Sequence, residues 1–227
     1  MKRDIYGESI HTKFNEDGSV RSYPGNTIIC FVDPKRKEHA PIQQSIALVH
    51  QYGLAEKYIW LPPSSYHVTV MQGVNDQVRA PGYWSKYKEL DTPLEEMDQF
   101  FQERLRHVPG FDRAELVIDS IQNDNMDLRI VLKPIDEQTD ALLRAFRDDV
   151  SEQFGVRLPN HDTYRFHITL AYVWRRFNDE ELKQLQPLLT EMNTYLKAID
   201  KITITNPMLT FYDNMIDFPT ERKRTTG

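Results

Sequence analysis

Two short segments of this sequence carry the same chemistry at the same offsets. Tyr66-His67-Val68-Thr69-Val70 and Phe166-His167-Ile168-Thr169-Leu170 each read aromatic, histidine, aliphatic, threonine, aliphatic. Side chains alternate between the two faces of a strand, so Tyr66, Val68 and Val70 take one face and His67 and Thr69 the other. The second copy likewise buries Phe166, Ile168 and Leu170 and presents His167 beside Thr169. A single histidine of this kind is most simply a half-buried strand residue bonded to backbone. Repetition with apolar flanks in both copies points to chemistry instead. Histidine has an ordinary pKa of about 6.5, so one ring can be neutral and another protonated at working pH. The neutral ring takes a proton from water or a ribose hydroxyl, and the protonated ring gives one to a leaving oxygen. Threonine hydroxyls donate to the non-bridging oxygens of a phosphate, where charge builds in the transition state. The scheme needs no metal and no cofactor. It requires the two strands to lie close, and it leaves open which histidine is acid and which is base.

The duplicated motif, His67-Val68-Thr69-Val70 and His167-Ile168-Thr169-Leu170, resembles the signature of the two-histidine (2H) phosphoesterase superfamily. That superfamily includes RNA 2′,3′-cyclic phosphodiesterases (also called 2′–5′ RNA ligases), plant cyclic phosphodiesterases and 2′–5′ oligoadenylate phosphodiesterases. The resemblance implies a bilobal α+β fold with two antiparallel or mixed sheets, pseudo-twofold symmetry about a central groove, and helices outside. It implies metal-independent catalysis, with His67 and His167 as general acid and base and Thr69 and Thr169 binding phosphate. The implied substrate is a cyclic phosphate or a 2′–5′ type phosphodiester of a nucleotide or RNA end. The stretch with Lys13-Phe14, Asp17-Gly18 and Pro24-Gly25-Asn26-Thr27 is similar to an uncharacterised bacterial and fungal branch. The long basic loops expected of members that grip RNA are not seen. A catalytically idle relative holding a nucleotide or RNA end in the same groove is the alternative reading.

Other residues are candidates of lower weight. Tyr172 falls five positions after His167, on the opposite face by strict alternation, and only a bulge or strand end would turn it towards a base for stacking. Arg79, in the loop after the first motif, could pair with a terminal phosphate. Tyr83, Trp84 and Trp174 could form an aromatic wall, and Lys13 and Arg21 are cations on the N-terminal segment. His161, Asp162 and His167 would be the residues of a rival metal-dependent hydrolase, although their spacing matches no common zinc pattern. His50 and His107 fit helix ends. Cys30, in an apolar strand, reads as inert.

The elements that must position these residues alternate along the chain. Thr27–Val32, Tyr58–Leu61, Tyr66–Met71, Glu115–Asp119, Leu128–Leu132, Tyr164–Val173, Ile202–Thr205 and Met208–Phe211 read as strands. Helices are expected over Pro41–Tyr52 and from Pro93, with Thr92 as N-cap. Another contains Leu142, Leu143, Phe146, Val150 and Phe154 and stops at Gly155. A fourth starts at the capping box of Asn178 and Glu181, with a kink or break forced at Pro187. Residues 73–92 read as a long loop, 1–26 as an N-terminal hairpin extension, and 220–227 as a frayed tail. The reading is one α+β domain in two lobes, each supplying one motif.

Composition sets the outer limits. The 227 residues hold one cysteine, so neither an internal disulfide nor a cysteine zinc site is possible, and a reducing cytoplasm is the simplest address. No apolar run approaches the ~20 residues of a membrane span, and no secretory leader is visible. A net charge of -6 argues against coating long nucleic acid, yet leaves room for a locally positive cleft and a small phosphate ligand. A monomer with a small substrate is expected.

Overall fold

The computed structural model describes residues 5–33, 35–37 and 39–222. Among these residues eight strands form two sheets in which every strand pairing is antiparallel. In the smaller, β1 (Gly25–Phe31) lies between β3 (His67–Asn75) and β8 (Met208–Tyr212). The larger has five strands in the order β2 (Tyr58–Trp60), β6 (His167–Val173), β5 (Asp127–Pro134), β4 (Arg113–Asn123) and β7 (Ile202–Thr205). The α+β reading with two sheets therefore holds. Each sheet borrows a strand: β8 completes the sheet of the first motif, and β2 edges the sheet of the second. The motif strands β3 and β6 face each other across the join, with Cα atoms within 8 Å although they do not pair.

Among the described residues there are four α-helices, α1 (His39–Gln51), α2 (Leu94–Leu105), α3 (Glu137–Phe154) and α4 (Asp179–Leu196), besides two single 3-10 turns. Helix α3 packs on β3 of one sheet and on β4 and β5 of the other, while α1 packs against α4. Its ends follow local chemistry. The Asp136 carboxylate accepts from the Thr139 amide, and Gly155 closes the last turn at φ 65°, a left-handed conformation that favours glycine. Asn178 and Glu181 form the expected capping box of α4. That helix runs unbroken through Pro187, because Leu185, Leu188, Leu189, Met192 and Leu196 bury one apolar face that holds it in place. At α2 the N-cap is Pro93 rather than Thr92, with no side-chain cap. Residues 5–24 form turns and isolated bridges such as Phe14↔Val20 in place of a regular hairpin. Of the tail, Arg222 is docked, and 223–227 lie outside the described residues.

Both motif strands carry a bulge at the same offset. On β3, Thr69 opposes Ile29 and Met71 opposes Ile28, which leaves Val70 as an extra residue. On β6, Thr169 opposes Arg129 and Ala171 opposes Leu128, which leaves Leu170 as the extra one. Consecutive side chains Val70-Met71 and Leu170-Ala171 are buried together, and the alternation flips after each pair. Gln72 and Tyr172 thereby join the face of the histidines. Beyond the β3 bulge the Asn26 side chain crosses Gly73 so closely that a Cβ there would stand 1.9 Å from Asn26 Oδ1. That oxygen accepts from the Val74 amide, and Asn26 Nδ2 donates to the buried Asp98.

Candidate active site

The strand alternation and the bulges bring both motifs to one cavity of about 640 Å³ between the sheets. His67, Thr69, His167 and Thr169 all line it. The two imidazoles are held in the same way. His67 Nδ1 lies 2.7 Å from the Ser65 carbonyl, and His167 Nδ1 lies 2.9 Å from the Arg165 carbonyl. A carbonyl only accepts, so each Nδ1 carries the hydrogen and each Nε2 is the basic nitrogen left for the cavity. Each histidine thus bonds the backbone two residues before it.

Their surroundings differ. Phe218 stands against His67 with ring centroids 4.4 Å apart, and Phe31 meets it edge-on at 6.5 Å. Burial holds the His67 pKa down, to about 4; the charge on His167 adds to this and the Ser65 carbonyl opposes it. His167 is also lowered, first by burial and then by Arg129 and Lys13, against its own carbonyl partner. Both rings are therefore neutral near pH 7 in the free protein. A histidine whose folded pKa lies below the unfolded value of about 6.5 takes up its proton in the unfolded chain first. Stability is then full above about pH 6.5 and falls as the pH drops towards 4. Urea unfolding of the wild type should show this loss, and His67→Gln should flatten it by on the order of 2 kcal/mol between pH 7 and 4.5. Parallel pH curves for the two proteins would show that burial of His67 does not set the slope.

The cavity also holds a charged, aromatic cluster. In it Lys13, Asp127, Arg129, Tyr23, Tyr172 and Tyr212 come together. Arg129 Nε stands 2.9 Å from Asp127 Oδ1, and its other end pairs with Asp124. Burial pushes the Asp127 carboxyl up to about 6, with Lys13 pulling the other way. Leu158, Pro159, Asn160, Val78 and Tyr83 also line the cavity. The buried Tyr164 packs beneath, its hydroxyl pushed up to about 12 by desolvation. Arg147 sits 4.3 Å over that ring and donates to the carbonyls of Val70 and His161, tying the first motif strand to the loop before the second.

Tyr172 thus reaches the cavity through the β6 bulge. Arg79 does not line it. Its guanidinium pairs with Asp76, donates to the carbonyls of Leu90 and Thr92, and stacks 4.4 Å over Trp84, so it organises the loop after β3. Of the three aromatic-wall candidates only Tyr83 lines the cavity. Trp84 is a buried residue of that loop, and Trp174 Nε1 donates to the Glu16 carbonyl. The residues His161, Asp162 and His167 do not assemble. His161 bonds Asp148 at 2.9 Å, and Asp148, His161 and Asp162 come within 4.8 Å of one another. Arg157 pairs with both carboxylates and supplies the positive charge between them. No local pattern in the chain marks Phe218, Arg129 or Asp127 as cavity residues. Gln72 could have been found from its offset, five after His67, which matches that of Tyr172 after His167.

The family described as "2H-phosphodiest: Domain of unknown function (DUF1868)" matches residues 13–127, half of the chain and the half that holds the first motif. This chain belongs to the 2H phosphodiesterase family. Among solved structures it is similar to the conserved protein of unknown function ATU0111 from Agrobacterium tumefaciens str. C58. The identity is 28% and the TM-score 0.86, over 96% of this chain and 92% of that one. Usb1 from Kluyveromyces marxianus is 11% identical with a TM-score of 0.48, over 84% of this chain and 94% of that one. No curated protein matches. Membership of the 2H family supports phosphodiesterase-type activity as the general class. No helix among the described residues is long and apolar enough to cross a membrane.

Proposed function

We propose that this 2H protein hydrolyses a cyclic phosphate or a 2′–5′ type phosphodiester on a nucleotide or RNA end, working as one two-lobed domain. The observation that carries the reading is the pair of imidazoles from separate sheets, each locked at Nδ1 and each leaving Nε2 for the same cavity. An anionic phosphate between them favours the charged form of a nearby histidine, so one proton is taken up as substrate binds. The neutral Nε2 then removes a proton from water, whose oxygen bonds to phosphorus. The bond from phosphorus to the leaving ribose oxygen breaks, and that oxygen takes the proton from the other Nε2. Water is added overall, and the two rings exchange protonation states and reset through solvent. Thr69 and Thr169 donate to the non-bridging oxygens. Tyr172 contributes to substrate binding in the charged cluster of the cavity.

A small substrate is favoured by the cavity, whose ~640 Å³ falls within the range of small-molecule sites. It is favoured again by the net charge of -6, which disfavours long nucleic acid. The lone, buried Cys30, its thiol pushed up to about 12, suits a monomer in a reducing cytoplasm.

The reading is tested with a panel assayed in EDTA. The panel holds nucleoside 2′,3′-cyclic phosphates, ADP-ribose 1″,2″-cyclic phosphate and a 2′–5′ linked dinucleotide. Turnover that persists in chelator and disappears in the double His67→Ala, His167→Ala protein is the expected result. Turnover lost in chelator and restored by zinc would replace the two-histidine reading with a metal-dependent one. Binding of these compounds without turnover would make the protein an idle relative that holds a nucleotide end.

A further inference from the structure

Residues 5–24 lie outside both sheets, yet they are packed against the end of β6 with backbone precision. The Gly7 amide donates to the Trp174 carbonyl, Glu8 to that of Asn125, and the Arg176 amide to that of Ile5. Gly7 comes so close that a Cβ would stand 2.0 Å from the Val173 carbonyl oxygen, so only glycine fits. Phe14 is fully buried with its ring 5.1 Å from that of Tyr172. The residue before Phe14 is Lys13, and this packing sends its side chain into the cavity. Lys13 Nζ rests 4.7 Å from the Tyr172 ring centroid and 5.8 Å from that of Tyr23, and 3.5 Å from the Tyr172 hydroxyl.

Its charge is poorly balanced there. Arg129, the other cation of this cluster, is paired with Asp127 and Asp124. Lys13 makes no ion pair within 4.0 Å among the described residues, and it feels Asp127 only at longer range. Burial lowers its pKa, as expected of an ammonium taken from water without a direct counter-ion. An anion arriving in the cavity would relieve that penalty. The scissile phosphate belongs at the other end of the same strand face, at Thr169. Tyr172, beneath Lys13, stands three residues further along β6, one of them absorbed by the bulge. At ~3.3 Å per residue the separation is roughly 7–10 Å, comparable with the distance between the two ends of one ribose phosphate.

We propose that Lys13, walled by Tyr172 and Tyr23, is a second anion subsite that takes a terminal phosphomonoester, so that the preferred substrates carry a phosphate at both ends of one ribose. The proposal rests on the phosphoesterase reading of the same cavity. It makes the N-terminal segment a specificity element of the site.

The test compares a nucleoside 2′,3′-cyclic phosphate with its 5′-phosphorylated counterpart, in wild type, Lys13→Met and Lys13→Arg. Methionine keeps the length of the stem while removing the charge. The wild type should favour the 5′-phosphorylated compound by about tenfold in kcat/KM. That ratio should fall towards one in Lys13→Met and be partly restored in Lys13→Arg. Equal losses on both compounds would overturn the proposal by assigning Lys13 to the scissile phosphate, and an unchanged ratio would overturn it outright. Calorimetry of nucleoside 3′,5′-bisphosphate against nucleoside 3′-phosphate separates this result from the catalytic one, since it needs no turnover. The wild type should bind the bisphosphate about tenfold more tightly and Lys13→Met should not. Equal affinities in the wild type would remove the subsite even if hydrolysis is confirmed.

Discussion

His67→Ala and His167→Ala are each expected to reduce turnover by about 10²–10⁴-fold while the protein stays folded. Each ring bonds the backbone through Nδ1 alone and presents Nε2 to the cavity, so neither is a keystone of packing. The residues beneath them, Val68, Val70, Ile168 and Leu170, are fully buried and hold the strands without the imidazoles. In the proposed mechanism one histidine removes a proton and the other supplies one in the same step, so the losses should not add, and the double variant should be little worse than either single one. Unfolding midpoints and steady-state rates on a cyclic nucleotide are the measurements. A single variant with near-normal rates would end the acid–base assignment, and a collapse of both rate and folding would mean that the rings are structural.

The second large effect concerns stability, and it lies at the far end of the first motif strand. Asp98 on α2 is 6% exposed and accepts from Asn26 Nδ2 at 2.8 Å and from Arg222 Nε at 2.6 Å. Arg222 further pairs with Asp213 at 2.6 Å and donates to the Gly25 carbonyl at 3.0 Å. The guanidinium thus clasps α2, the start of β1 and the segment after β8. Breaking such a pair strands a buried charge, so Asp98→Ala or Arg222→Ala should destabilise the fold by about 3–5 kcal/mol in urea unfolding. Removing both charges in Asp98→Asn, Arg222→Met should be milder than either alanine, because the only carboxylate left without its partner, Asp213, is half exposed and stays solvated. Single losses below about 1 kcal/mol would show that the clasp is solvated and carries little. Activity should fall with the clasp as well, because the segment it holds brings Met215 and Phe218 to the cavity.

The sequence made the strands legible where apolar and polar residues alternate, as in His67–Val70 and His167–Leu170, and it made α3 and α4 legible through Gly155 and the Asn178–Glu181 box. The duplicated His-x-Thr pair marked the cavity because its offsets are local. What stayed hidden depends on register and on distance along the chain. Alternation alone sends Tyr172 to the wrong face, and only the pairing with β5 reveals the extra residue at Leu170. Arg79 looked available because nothing local predicts its bonds to Leu90 and Thr92. Phe218 is separated from His67 by most of the chain, and no period or motif links them. Pro187 failed as a break because the buried face of α4 outweighs one missing amide.

The exchange of strands between the two sheets also shapes how the molecule acquires its site. Strand β1 is central in its sheet only once β8, the last strand in the order, has paired with it. Contacts of this span close late, because the entropy of the intervening loop must be overcome before any pairing compensates for it. The first imidazole therefore acquires its wall from Phe218, and the second its neighbour Lys13, only after segments from opposite ends of the described chain have docked on opposite sheets. A folding intermediate with one complete lobe would hold one histidine in a half-built cavity. Competence and completeness would then arrive in the same step, and partly folded chains would carry no stray hydrolytic activity.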